Sequence, residues 1–194
     1  MTAPEPASPS ATGPSPQHLG ADHLGAVDLG AEHLGAEHLS AADLGHLRRC
    51  VALARIARER GDHPFGALLV TADGAVVESM NTVNSGPDPI GHAETNLVRE
   101  AGRRLDAATL ATSTLYTSTE PCVMCAGAIY WSGIARVVYA LSEAELRRMV
   151  STQSGIPTLA MPCREVFVRG GRAIAVAGPA ALPEAAEVHA GFWG

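Results

Sequence analysis

His92-Ala93-Glu94 and, further along, Pro121-Cys122-Val123-Met124-Cys125 are the two stretches whose reading decides this chain. Together they offer one imidazole, two thiols and one carboxylate. Three of these, His92, Cys122 and Cys125, make a ligand set for Zn²⁺. Catalytic zinc usually takes three protein ligands and leaves a fourth position for water. Cys122 and Cys125 are three apart, so a helix carries both sulfurs on one face, one turn from each other. Pro121 suits the first helical position, where its missing N–H costs nothing. A helix N-terminus favours thiolate through its free N–H groups and its dipole. Glu94 lies too close to His92 to join the same ligand set and is expected beside the water, as a proton carrier. An acid–base group of this kind contributes roughly 10²–10⁴-fold. A purely structural zinc site wants a fourth Cys or His. Cys50 and Cys163 are the candidates, and neither has a partner at ligand spacing.

Charge and cysteine usage narrow the class. Arginine supplies all 14 basic residues of the 194, and the formal charge is −6. From Leu47 to Gly178, 14 Arg stand against 12 Asp and Glu, while the stretch before Leu47 holds six acids and no base. Without a Lys/Arg-rich segment, nucleic acid is not the expected partner. Four cysteines in a chain of this length are no disulfide framework, and reduced ligand thiols suit the cytoplasm. Arg48 is the first basic residue and no long apolar run precedes it. Neither a secretory signal nor a membrane span is therefore expected.

The pattern divides the chain into three parts. Residues 1–42 read as a disordered, low-complexity arm. Its first part is rich in Pro, Ser, Ala and Thr, followed by a five-residue repeat of the form His-Leu-Gly-Ala-Glu. A period of five matches neither helix nor strand. Residues 43–178 read as the folded domain and 179–194 as a tail with a terminal helix. Within the domain, Leu47, Val51, Ala54 and Ala57 predict an inward-facing helix that Gly61 stops. Phe65–Val70 and Ala75–Met80 predict paired strands around Ala72-Asp-Gly. Further strands are expected at Ser113–Thr117 and Ala135–Ala140, with edge segments at Glu165–Val168 and Ala173–Val176. Helices are expected at His92–Leu105, Cys122–Ser132 and Glu143–Val150. The alternation predicts an α/β fold, a three-layer α-β-α sandwich on a mixed five-stranded sheet. Both zinc motifs then follow strand-to-helix loops at one end of the sheet, where open α/β sheets bind ligands.

From Leu47 to Tyr139 the chain resembles the cytidine and deoxycytidylate deaminase superfamily. The residues that carry this are Pro64-Phe-Gly-Ala, Asn81-Thr-Val, Asp88-Pro-Ile-Gly-His-Ala-Glu, Leu115-Tyr-Thr-Ser and Glu120-Pro-Cys-Val-Met-Cys-Ala-Gly-Ala-Ile-Tyr-Trp. They look most like bacterial guanine deaminase, and the tRNA adenosine deaminases and fungal cytosine deaminase share much of the pattern. The resemblance implies Zn²⁺ on His92, Cys122 and Cys125, Glu94 as the catalytic proton shuttle, and a homodimer through the motif helices. It also implies a substrate-binding role for Asn81, whose amide can donate and accept. Phe65 is expected to wall the base pocket and the backbone at Ala93 to help hold a carbonyl oxygen. Trp131 reads as core or dimer packing. Phe192 and Trp193 would be exposed at the end of the chain unless they dock, and they are expected to cover the site.

One departure bears on the substrate. Where guanine deaminases carry an Asp beyond the second zinc cysteine, counting forward reaches Gln153, which is neutral. The resemblance thus implies hydrolytic deamination of an amino-substituted base or nucleoside, a guanine-type purine first. Cytosine, isoguanine or a triazine-like analogue stand as alternatives. A tRNA adenosine deaminase is disfavoured by the absent basic tail, and a non-catalytic zinc-stabilised module by Glu94.

Overall fold

The computed structural model describes residues 39–151 and 159–193. The repeat arm up to residue 38 and Gln153 lie outside the described residues. The first helix, α1 (Ala41–Glu59), begins two residues before Asp43, because a capping box sets its start. Ser40 Oγ accepts from the Asp43 N–H at 3.0 Å, and the Asp43 carboxylate accepts from the Ser40 N–H at 3.0 Å. Asp43 also accepts from Tyr116 Oη and from the Arg136 guanidinium, each at 2.8 Å. One side chain thus starts the helix and ties it to the sheet.

Five strands form one mixed sheet, β1 (Gly66–Val70), β2 (Val76–Met80), β3 (Thr114–Thr119), β4 (Arg136–Leu141) and β5 (Ala175–Ala177), in the order β2-β1-β3-β4-β5. β1 is antiparallel to both neighbours, whereas β3, β4 and β5 are parallel. It follows that β2, β3 and β4 all end at the same edge of the sheet, where β1 begins. Alternation along the strands supplies two cores. Ala67, Leu69, Leu115, Val137 and Tyr139 pack under α2 (Ala93–Arg104), α4 (Val123–Ser132) and α6 (Cys163–Phe167). Leu68, Tyr116, Val138 and Ala140 pack under α1 and α7 (Pro183–Glu187) on the other face. The three-layer α-β-α sandwich expected from the sequence is therefore the architecture observed. Gly66 is required at its place, since a Cβ there would collide with the α1 backbone at Cys50 and Ala54.

Three local expectations change. Glu165–Val168 is not an edge strand, because α6 occupies that stretch. The Cys163 N–H donates to the buried Glu120 carboxylate at 3.0 Å, and Cys163 and Phe167, one turn apart, bury together in the core on the α2–α4 face. A tertiary hydrogen bond thus overrides the alternating pattern. Pro121 stands one residue before the N-cap of α4, not inside its first turn, and Cys122 is the N-cap. A short helix, α3 (Ala107–Leu110), capped by Asp106, joins α2 to β3. The remaining helix, α5 (Glu143–Ser151), follows β4, and its first N–H donates to Glu120 Oε2 at 3.0 Å. Among the described residues no helix is long and apolar enough to cross a membrane.

Candidate active site

Two helix starts meet at the end of the sheet. His92 is the N-cap of α2 and Cys122 the N-cap of α4, each in extended backbone with no side-chain cap. His92 Nδ1 lies 3.6 Å from Cys122 Sγ and 3.6 Å from Cys125 Sγ. The three ligand atoms all lie within 4.8 Å of one another. A tetrahedral zinc with Zn–N of about 2.0 Å and Zn–S of about 2.3 Å requires N···S separations of roughly 3.5 Å, so this donor set fits the ion. Hydrogen bonds hold the sulfurs in unequal states. The hydrogen bond from Cys125, followed by that from His92, holds the Cys122 thiol down to about 4, well below the usual thiol range. Cys125, acting as that donor and deeply buried, is pushed up. The hydrogen bond to Cys122 raises His92.

Glu94, the second residue of α2, points at the same cluster. It is 5% exposed, its Oε2 accepts from Cys125 Sγ at 3.5 Å, and its Oε1 accepts from Thr117 Oγ1 at 2.6 Å. Burial raises its carboxyl, and the Thr117 hydrogen bond opposes that rise. A buried carboxyl beside a metal-competent cluster can take up and release protons.

Three further segments pack on one another near the start of β1. Asn81 follows β2 and is fully buried; its N–H donates to the Phe65 carbonyl at 3.0 Å. Its Oδ1 accepts from the Val83 N–H at 3.0 Å, and its amide nitrogen has no partner in the protein. Asp62, fully buried, holds the loop after Asn81 by accepting from Asn84 N, Ser85 N and Ser85 Oγ. Phe65, just ahead of β1, faces Trp193 with ring centres 6.1 Å apart. Trp193 is 9% exposed and also packs on His63, 5.1 Å away, and Phe192, 4.9 Å away. Burial, and then the charge of neighbouring His92, lowers His63. Ala93 is fully buried at the first position of α2, where a backbone N–H has no intrahelical partner.

The profile of the cytidine and deoxycytidylate deaminase zinc-binding region matches residues 41–141. This chain belongs to that deaminase family. A probable cytosine deaminase of Schizosaccharomyces pombe is 38% identical over 155 residues, covering 78% of this chain and 92% of its own. The guanine deaminase of Bacillus subtilis is 41% identical over 100 residues, 51% of this chain and 64% of its own. A solved guanine deaminase from Nitrosomonas europaea shares the fold at a TM-score of 0.64 and 24% identity, covering 79% of this chain and 85% of that one. The protein is a zinc-dependent deaminase.

Relative to the sequence reading, this deaminase brings His92, Ala93, Glu94, Cys122 and Cys125 together; Phe65, Phe192 and Trp193 pack around His63, and Asn81 binds the Phe65 backbone. Trp131 is 86% exposed, so core packing is excluded for it. Sequence reasoning passed over Thr117, Thr119, His63 and His189. The two threonines stand two residues apart at the end of β3, a signal visible once β3 is placed; His63 and His189 carried no spacing signal.

Proposed function

We propose that this deaminase removes the amino group of a free nucleobase or its nucleoside, with a guanine-type purine as the first expectation. The observation that carries this is the meeting of His92 Nδ1, both cysteine sulfurs and the Glu94 carboxyl at one end of the sheet. His92, Cys122 and Cys125 would hold the zinc, which supplies Lewis acidity that makes water a competent nucleophile near neutral pH. Glu94 takes the proton that water loses. It delivers that proton to the ring nitrogen as the water oxygen bonds to the adjacent amino-bearing carbon, then carries that oxygen's second proton to the amine, so that the C–N bond breaks and ammonia leaves. Thr117 holds one carboxylate oxygen still while the other turns between water and ring. Asn81 donates to a ring acceptor, Phe65 and Trp193, packed on each other, form one aromatic wall for the heterocycle, and the Ala93 N–H faces a carbonyl oxygen. Phe192 closes the outside of this box. Enclosure by the tail suits a small base better than a nucleic acid loop.

Cytosine is the second reading. It is favoured by the similarity to the S. pombe protein, which spans nearly the whole of that relative, and by neutral Gln153 in place of an acid. An ammonia-release panel of guanine, isoguanine, adenine, cytosine, their nucleosides and triazines decides among them; silence across the panel with zinc bound would sink the proposal. We further propose a homodimer through α4, supported by the exposure of Trp131 on that helix.

A further inference from the structure

Three buried side-chain polar atoms have no hydrogen-bond partner in the protein among the described residues: Asn81 Nδ2, His189 Nδ1 and Trp193 Nε1. Unpartnered buried polar atoms are rare, because each forfeits its hydration without replacement. Here all three belong to residues that meet Phe65, one at its backbone and two at its ring. Asn81 binds the Phe65 carbonyl, and the His189 and Trp193 rings lie 5.2 and 6.1 Å from the Phe65 ring. Three unpartnered polar atoms on residues that meet Phe65 are the hydrogen-bonding capacity this part of the fold leaves unused.

His189 is the member with no assigned purpose. It is 1% exposed. Its Nε2 lies 3.4 Å from Thr119 Oγ1, and its ring stacks on Trp193 at 13°. That leaves Nδ1 as its one free polar edge. Thr117 and Thr119 stand two residues apart at the end of β3. Thr117 holds Glu94, and Thr119 meets His189. The proton-carrying carboxyl and the imidazole are thus both held by the last residues of β3. The position is also fixed in the backbone. Arg58 donates to the carbonyls on both sides of His189, Val188 O at 2.7 Å and Ala190 O at 2.8 Å.

We propose that His189 is a substrate-reading residue, its Nδ1 hydrogen-bonding the ring edge of the bound heterocycle on the side away from the carbon that loses ammonia. Asn81 and Trp193 donate beside it, so the set selects a base that presents ring acceptors there. Burial, and then the charge of Arg58, holds His189 down to about 4. It therefore works as a neutral imidazole with one N–H and one lone pair. This assignment rests on the base-deaminating pocket proposed above.

Two variants and one spectrum test it. His189→Phe keeps the stacking and removes the polar edge; His189→Asn restores an amide close to the Nδ1 position. In the zinc-loaded enzyme, His189→Phe should lower kcat/KM on the best base roughly 10- to 100-fold, mainly through KM, and reorder the panel. Zinc content should be unchanged, and His189→Asn should recover part of the loss. An unaltered KM and substrate ranking in His189→Phe overturns the proposal. The spectrum covers the case in which that variant does not fold. In Glu94→Gln, the His189 Nδ1 resonance should shift when cytosine or guanine is added; binding with no Nδ1 shift overturns it equally. Failure of the wild type to release ammonia from any base sinks the reaction instead, and the Nδ1 shift still reads His189.

Discussion

Thr117 on β3 donates to Glu94 on α2 at 2.6 Å, so the carboxyl beside the zinc-binding cluster is held by a strand and not by its own helix. The bond is buried and involves a carboxylate, which makes it one of the stronger hydrogen bonds in the molecule. Thr117→Val removes it while keeping shape. Because that bond opposes the upward push of burial on Glu94, the acid limb of the rate profile should move to higher pH. A loss of about 1–3 kcal/mol in transition-state stabilisation is expected. Steady-state kinetics from pH 5 to 9 read both effects.

Glu94→Gln should retain stoichiometric zinc and lose ammonia release by roughly 10²–10⁴-fold or more. Metal analysis beside an ammonia assay distinguishes this from loss of the ligand set. Zinc removal by chelation should abolish turnover in the wild type and be reversed by adding the ion back.

Deleting residues 191–194 should damage turnover more than folding. The deletion removes Trp193 and Phe192, which pack on His63 and Phe65, but leaves the sheet and both helix starts intact. Kinetics unchanged from the full chain would show that the tail does not complete the pocket. Arg58→Met should act in the same direction with the tail still present, raising KM by releasing Val188 and Ala190.

Asp43→Ala should destabilise the protein by about 2–4 kcal/mol, since it removes the capping box and leaves Tyr116 and Arg136 without their acceptor. Burial alone would raise the Asp43 carboxyl, but Arg136, Ser40 and Tyr116 together outweigh it and hold the group well below the usual range. Its contribution is present above the ordinary carboxylate pKa near 4 and is lost as pH falls below that. Chemical denaturation at pH 7 and pH 3 measures the change.

His189 has a pH signature of its own. Its folded value near 4 lies below the unfolded value near 6.5, so the unfolded chain binds more protons between the two. Stability should fall as pH drops through that window, by about 3 kcal/mol in total from this group. Glu143 opposes it: burial, and then Cys122 and Glu120, raise that carboxyl to about 7, so its contribution is lost as pH rises. The comparison of wild type with His189→Asn isolates the histidine, and the variant should show the shallower acid slope.

Much of the architecture was legible because its signals are local. The apolar face of α1, the turn at Ala72-Asp-Gly and the alternation of strands with helices follow from neighbours in the chain. Glu165–Val168 failed as a strand because its state depends on Glu120, far away in sequence, which accepts from Cys163 and starts a helix. The short helix at Ala107–Leu110 was passed over because a single turn capped by Asp106 carries no periodicity.

The sequence alone determined the chemistry. One imidazole, two thiols at one-turn spacing and a carboxyl two residues from the imidazole have few uses other than a zinc site with a proton carrier. Tertiary structure decided everything about the pocket that such spacing does not encode. β2 and β3 had to end at the same edge for α2 and α4 to bring His92 within 3.6 Å of both sulfurs. Asn81, Phe65, His189 and Trp193 come from segments with no common period, and only the folding of the tail back onto the start of β1 makes them neighbours.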